Sequence, residues 1–147
     1  MVFKKILCPV DFSAGAREAL TVAARIAVES SAALVLVHVW ELPTWAITEL
    51  TLAPAALQDL LDSNDAELAR WKAEAAALGV RDVQTRSETG PAWDRIVAVA
   101  GSDPGVDLVV MGTHGRTGLS HALIGSVAEK VVRFAPCNVL VVRPRAA

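Results

Sequence analysis

Cysteine is scarce: Cys8 and Cys137 are the only two in 147 residues, and each lies in or beside an apolar run. Two such thiols supply neither a disulfide framework nor a metal-ligand set, which argues against redox or metal chemistry as the main task. No sign of charge dominates either, with 14 basic residues against 16 acidic and an isoelectric point near 5.9. A chain so balanced advertises no broad surface for nucleic acid or anionic lipid, so any phosphate recognition must be local. Long apolar runs are also missing. Mean hydropathy is high at +0.41, yet the longest run, residues 32–37, is broken by His38 and is much shorter than the roughly 18 to 20 residues that cross a bilayer. The opening Met-Val-Phe-Lys-Lys leads straight into a strand pattern with no apolar signal core, which predicts a cytoplasmic protein. The length suits one domain with a sizeable core.

What the chain does have is alternation. Residues 3–10, 33–39, 107–111 and 138–142 are apolar runs of strand length, and 83–88 alternates as an exposed edge strand does. Between them lie helical patterns. Ser13 suits the N-cap of a helix over 14–29, whose stripe is Leu20, Ala23, Ile26 and Ala27. Pro54 suits the first turn of a long helix, in which Leu57, Leu61, Leu68, Trp71, Ala75 and Leu78 follow helical spacing up to Gly79. Residues 92–100 form a short helix ended by Gly101, and 126–134 form the last one. Residues 40–53 are an irregular connection, either a packed loop or a lid. Five strands with four helical crossovers predict an α/β fold with one doubly wound parallel sheet, whose strand order the pattern leaves open.

The strongest chemical signal is the stretch from Met111 to Val127. Gly112 and Gly115 lack a Cβ and can turn consecutive backbone N–H groups toward a phosphate. Gly125, Ser126 and Val127 open a helix whose first N–H groups and positive dipole end would face the same anion. Arg116 can neutralise a phosphate, and His114 can contribute its backbone N–H, no nucleophile or carboxylate partner being evident for acid–base work. Ser126-Val127-Ala128-Glu129 also matches a capping box, in which Ser126 is only an N-cap. Asp11, after Pro9 and Val10 at the end of the first strand, either serves its own turn or accepts a hydrogen bond from a base or ribose; the glycine loop favours the second role. His38 reads as a core histidine with its hydrogen bonds met. The Gly-Lys-Ser/Thr of a phosphate-binding P-loop is missing, as is an early dinucleotide fingerprint followed by an acidic residue.

The spacing Gly112-x2-Gly115-x9-Gly125-Ser126 resembles the signature of the ATP-binding branch of the universal stress protein family. The likeness extends to Lys5-Ile6-Leu7-Cys8-Pro9-Val10-Asp11-Phe12-Ser13, to Val37-His38-Val39 and to Pro136-Cys137-Asn138-Val139-Leu140-Val141-Val142, and so spans essentially the whole chain. It implies a sheet of order 3-2-1-4-5, a base contact at Val39, and ATP as ligand in a regulatory protein without a dedicated catalytic task. Magnesium would then be held by phosphates and water. The apolar strand 138–142 lies at an edge in that order, which predicts a homodimer through it. Two rivals stand beside this reading. One is a dimeric interaction module that binds no nucleotide; the other is a slow ATPase or self-phosphorylating enzyme using His114, Thr113, Thr117 or Ser120.

Overall fold

The computed structural model of the chain describes residues 2–41, 54–113 and 124–144. In them strands and helices alternate: β1 (Lys5–Pro9), α1 (Ala14–Ser30), β2 (Ala33–Trp40), α2 (Pro54–Ala77), β3 (Val83–Thr89), α3 (Ala92–Ser102), β4 (Val106–Gly112), α4 (Ser126–Phe134) and β5 (Asn138–Val142). The strands form one parallel sheet in the order β3-β2-β1-β4-β5. The chain winds outward from β1 to β3, then returns to the other side of β1 for β4. The β1–β4 pair is therefore the topological switch point, where ligands of open α/β sheets bind.

Successive strand residues point to opposite faces, and here both faces are covered. Ile6, Cys8, Leu34, Leu36, Leu108 and Val110 pack with α1 and α2, while Leu7, Val35, Val37, Val109 and Met111 pack with α3 and α4. That double burial is why β1, β2 and β4 read as unbroken apolar runs. The polar strand β3 occupies one edge and β5 the other, as expected.

Several boundaries differ from the sequence reading, each for an identifiable reason. The ladder of β1 begins at Lys5 rather than residue 3, because the Asp107 carboxylate takes the Lys4 and Lys5 N–H groups at 2.9 and 3.3 Å. Its register with β4 shifts between Lys5 and Ile6. Helix α3 does not stop at Gly101 but runs to Ser102, and the Asp103 N–H closes it on the Val99 carbonyl. The stop comes from Pro104, which disfavours helical dihedrals at the residue before it. In α2 only Leu68, Trp71 and Ala75 are buried, so its C-terminal half packs on the sheet while Leu60, near its start, stays exposed. Of the candidate lid, Trp40 belongs to β2 and Glu41 follows it directly; residues 42–53 lie outside the described residues.

Two glycines predict opposite signs. Gly79 has φ +105° and an added Cβ would sit 3.4 Å from Val28 Cγ2, so Gly79→Ala should cost about 1–2 kcal/mol. Gly101 is an ordinary helical residue whose added Cβ would meet Pro136 at 3.8 Å, so Gly101→Ala should stabilise by about 0.5–1 kcal/mol. Urea denaturation midpoints of the two variants should move in opposite directions.

Candidate functional site

Pairing of β1 with β4 brings two short connections to one rim. The first, residues 10–13, links β1 to α1. Asp11 Oδ1 accepts from the Ser13 N–H at 3.1 Å and from the Ser13 hydroxyl at 2.5 Å, and Ser13 Oγ in turn accepts the Ala16 N–H at 3.1 Å. Asp11 thus serves the turn and, through Ser13, the N-cap of α1. The Val10 N–H donates to Val37 at 2.8 Å, and the Val10 carbonyl accepts from His38 Nδ1 at 2.8 Å. A carbonyl only accepts, so Nδ1 carries the proton. His38 is buried, as expected of a core histidine.

The second connection follows β4. The Thr113 N–H donates to Val142 at 3.2 Å, and the Gly125 N–H donates to the Thr113 carbonyl at 2.7 Å. These bonds set residues 113 and 125 side by side. They also correct the capping-box reading: Gly125, with φ −62° and ψ 159°, is the N-cap of α4, no side chain caps the helix, and Ser126 is its first helical residue. The bond to Thr113 holds the extended cap residue one position before Ser126. Gly125 therefore offers no free N–H to a ligand, contrary to expectation. The N–H groups of Ser126, Val127 and Ala128 take that place, since the first intrahelical bond runs from Glu129 to Gly125. The Ser126 side chain makes no hydrogen bond among the described residues, and Glu129 is paired with Arg133 one turn on.

Between the two connections lies a cleft of about 480 Å³, within the range of about 300–1,000 Å³ common for small-molecule sites. Of the residues singled out in the sequence, Pro9, Val10, Asp11, Val39, Met111, Gly112, Gly125, Ser126 and Val127 all line it. His114, Gly115 and Arg116 lie outside the described residues, as do Thr117 and Ser120. Sequence reasoning missed Thr113 as a buried lining residue, although its place between β4 and the loop was a signal. It also missed Glu41, whose carboxylate accepts the Ala92 N–H at the start of α3. Nothing local to either residue announces that contact, which joins positions 51 apart. A smaller recess of about 210 Å³ adjoins the cleft along His38, Trp40 and Asn64, and is lined further by Asp65, Glu88 and Arg95.

The cleft is chemically two-sided. Its acidic groups, Asp11 and Glu41, stand on the β1–β2 side, whereas the N-terminus of α4 with Gly112 forms the other. Among the described lining residues there is no lysine or arginine, so anion recognition from these residues falls to backbone N–H groups and the helix dipole. Among the described residues no group of histidine, cysteine and carboxylate side chains is arranged to hold a metal, and no helix is long and apolar enough to cross a membrane. Both thiols are held toward the protonated form, Cys8 in full burial and Cys137 in partial burial. Burial pushes Cys8 up to about 12, and burial, with the nearby Asp107 charge, raises Cys137.

Comparison with known proteins follows the same lines. The model of the universal stress protein family matches residues 2–143. A Staphylococcus haemolyticus protein assigned to the universal stress proteins is 35% identical over 144 residues, covering 97% of this chain and 86% of its own. Among solved structures, universal stress protein UspA from Lactobacillus plantarum is 29% identical with a TM-score of 0.81, over 97% of this chain and 99% of that one. A universal stress protein in complex with cAMP is 25% identical with a TM-score of 0.71, over 97% of this chain and 98% of that one.

The thiol environments carry a pH signature. Cys8 keeps its proton in the folded state up to about pH 12, whereas an unfolded thiol with the ordinary value of 9.0 loses it earlier. The folded state then binds more protons, so this contribution to stability is intact below pH 9 and declines above it by up to about 1.4 kcal/mol per pH unit. Cys8→Ala should remove that slope from denaturation curves. At pH 8 a chromogenic disulfide reagent should leave Cys8 unlabelled until the protein unfolds.

Proposed function

The chain belongs to the universal stress protein family, and on that footing we propose that it is an ATP-binding regulatory protein that works as a nucleotide-dependent switch in a dimer. One observation carries the reading: a cleft at the switch point with carboxylates on one side and free helix N–H groups on the other. ATP is divided in the same way. Its base amino group and ribose hydroxyls donate hydrogen bonds, suited to Asp11 and to the backbone around Val39. Its phosphates accept them, suited to Gly112 and the first turn of α4. Gly115 and Arg116 would complete the phosphate end, and His114 would serve through its backbone. Magnesium would ride on the phosphates and water, since the described residues bring no carboxylate cluster for it. A related structure of this family was solved with cAMP, which shares the adenosine and a phosphate with ATP.

In this reading the protein has no dedicated catalytic activity and resides in the cytoplasm. Binding biases the arrangement of residues 113–124 and thereby a partner surface. Dimerisation runs through β5, an apolar edge strand with Leu140 exposed and no charged residue along it.

Calorimetric titration of nucleotide-free protein with magnesium and ATP should give saturable binding that Gly115→Trp abolishes. Folded protein that takes up no ATP at millimolar concentration would sink the nucleotide reading and leave an interaction module. In sedimentation the wild type should run as a dimer at micromolar concentration and Leu140→Asp as a monomer. A monomeric wild type would count against the β5 interface.

A further inference from the structure

Among the described residues, Phe12 and Ser31 alone combine a side chain with a positive φ. Ser31 is accounted for as the left-handed C-cap of α1. Phe12, at φ 63°, stands immediately after Asp11 in a connection where glycine would adopt the same dihedral without penalty. A left-handed aromatic residue persists only where its surroundings over-determine it, and such outliers cluster at ligand sites.

The surroundings are unusually complete. The Phe12 ring stacks on His38 with centroids 4.5 Å apart and planes 27° apart, and meets Trp71 edge-on at 5.5 Å. The Arg17 guanidinium covers Trp71 at 4.7 Å and is itself paired with Glu74. The same His38 ring that supports Phe12 also donates to the Val10 carbonyl. Asp11 is thus gripped from both sides by one imidazole, through the backbone before it and the side chain after it. Phe12 itself does not line the cleft.

We propose that Phe12 is a positioning residue for Asp11: its ring, stacked on His38 and set edge-on against Trp71, holds the turn in the left-handed conformation that sets the carboxylate on the cleft wall. The aromatic ring is what a glycine in this place would lack. Glycine would satisfy the dihedral but leave the turn free to sample others, and Asp11 with it. Only the ligand arm of this proposal rests on the nucleotide reading.

Two measurements on Phe12→Gly test it. In ligand-free protein, amide exchange at Ser13, which donates to Asp11, should accelerate by about tenfold or more, while Ala23 and Ala24 in the middle of α1 keep their protection. Affinity for magnesium and ATP should fall by about tenfold, the order of loss expected when a binding group is loosened without being removed. Phe12→Tyr, which keeps the ring, should restore both. Phe12→Leu keeps apolar bulk without a ring and should behave as Phe12→Gly does, which provides a second variant if the glycine form folds poorly. Unchanged Ser13 exchange in both ringless variants would overturn the proposal. So would a loss of protection spread through all of α1, the mark of a simple packing role. If wild-type protein binds no ATP, the nucleotide reading fails while the exchange experiment still decides the role of Phe12.

Discussion

The parallel pairing of β1 with β4 is the constraint on which the rest depends. It sets the carboxyl ends of two strands side by side although their connections leave in different directions. Residues 10–13 run into α1 on one face of the sheet, and the chain after Thr113 returns as α4 on the other. A cleft opens between them as a matter of topology, before any particular side chain is chosen. At the opposite end of the same pair, the Asp107 carboxylate holds the Lys4 and Lys5 N–H groups where the ladder loses register. Lys5 reaches across to Asp103 at 2.8 Å. Polar contacts thus secure the closed end of the pair, and the open end is left to the site.

Within the cleft the division of labour is between side chains and backbone. Acidic side chains come from the ends of β1 and β2, and uncommitted N–H groups come from the start of α4. A backbone donor keeps its direction because the helix behind it is rigid, and it carries no formal charge that must be neutralised when the cleft is empty. That is how a chain of nearly balanced charge can present a local group of N–H donors without a basic surface. The Gly125–Thr113 hydrogen bond is central here. It fixes where α4 begins and therefore which three N–H groups face the cleft.

The sheet was legible because its central strands are buried on both sides, so Ile6 to Cys8, Leu34 to Val37 and Leu108 to Met111 leave no polar residue to blur the pattern. The glycines were legible where they mark a conformation, as Gly79 does, and misleading where they do not, as at Gly101. The bounds of α4 were legible, but the capping box that Ser126 offered as an alternative fits only a local rule, whereas a tertiary hydrogen bond to Thr113 makes Gly125 the cap. Phe12 gave no warning. Phenylalanine has no intrinsic bias toward positive φ, and the aromatic neighbours that hold it there come from β2 and α2, remote in sequence. Contacts of that kind, like Glu41 with Ala92, exist only once the fold has formed.

The wide sequence separation of β1 from β4 also bears on synthesis. The first strand pairs with β2 soon after both have left the ribosome, but its other edge has no partner until β4 emerges, about a hundred residues later. Closing that pairing is the high-contact-order step of folding. Until it happens, half of the sheet centre exposes backbone donors and apolar side chains to whatever is nearby, and the two halves of the cleft have never met. A nascent chain is therefore most vulnerable to misassembly through β1, and a formed cleft is in itself a signal that translation has passed the start of α4 and that the chain has folded around it.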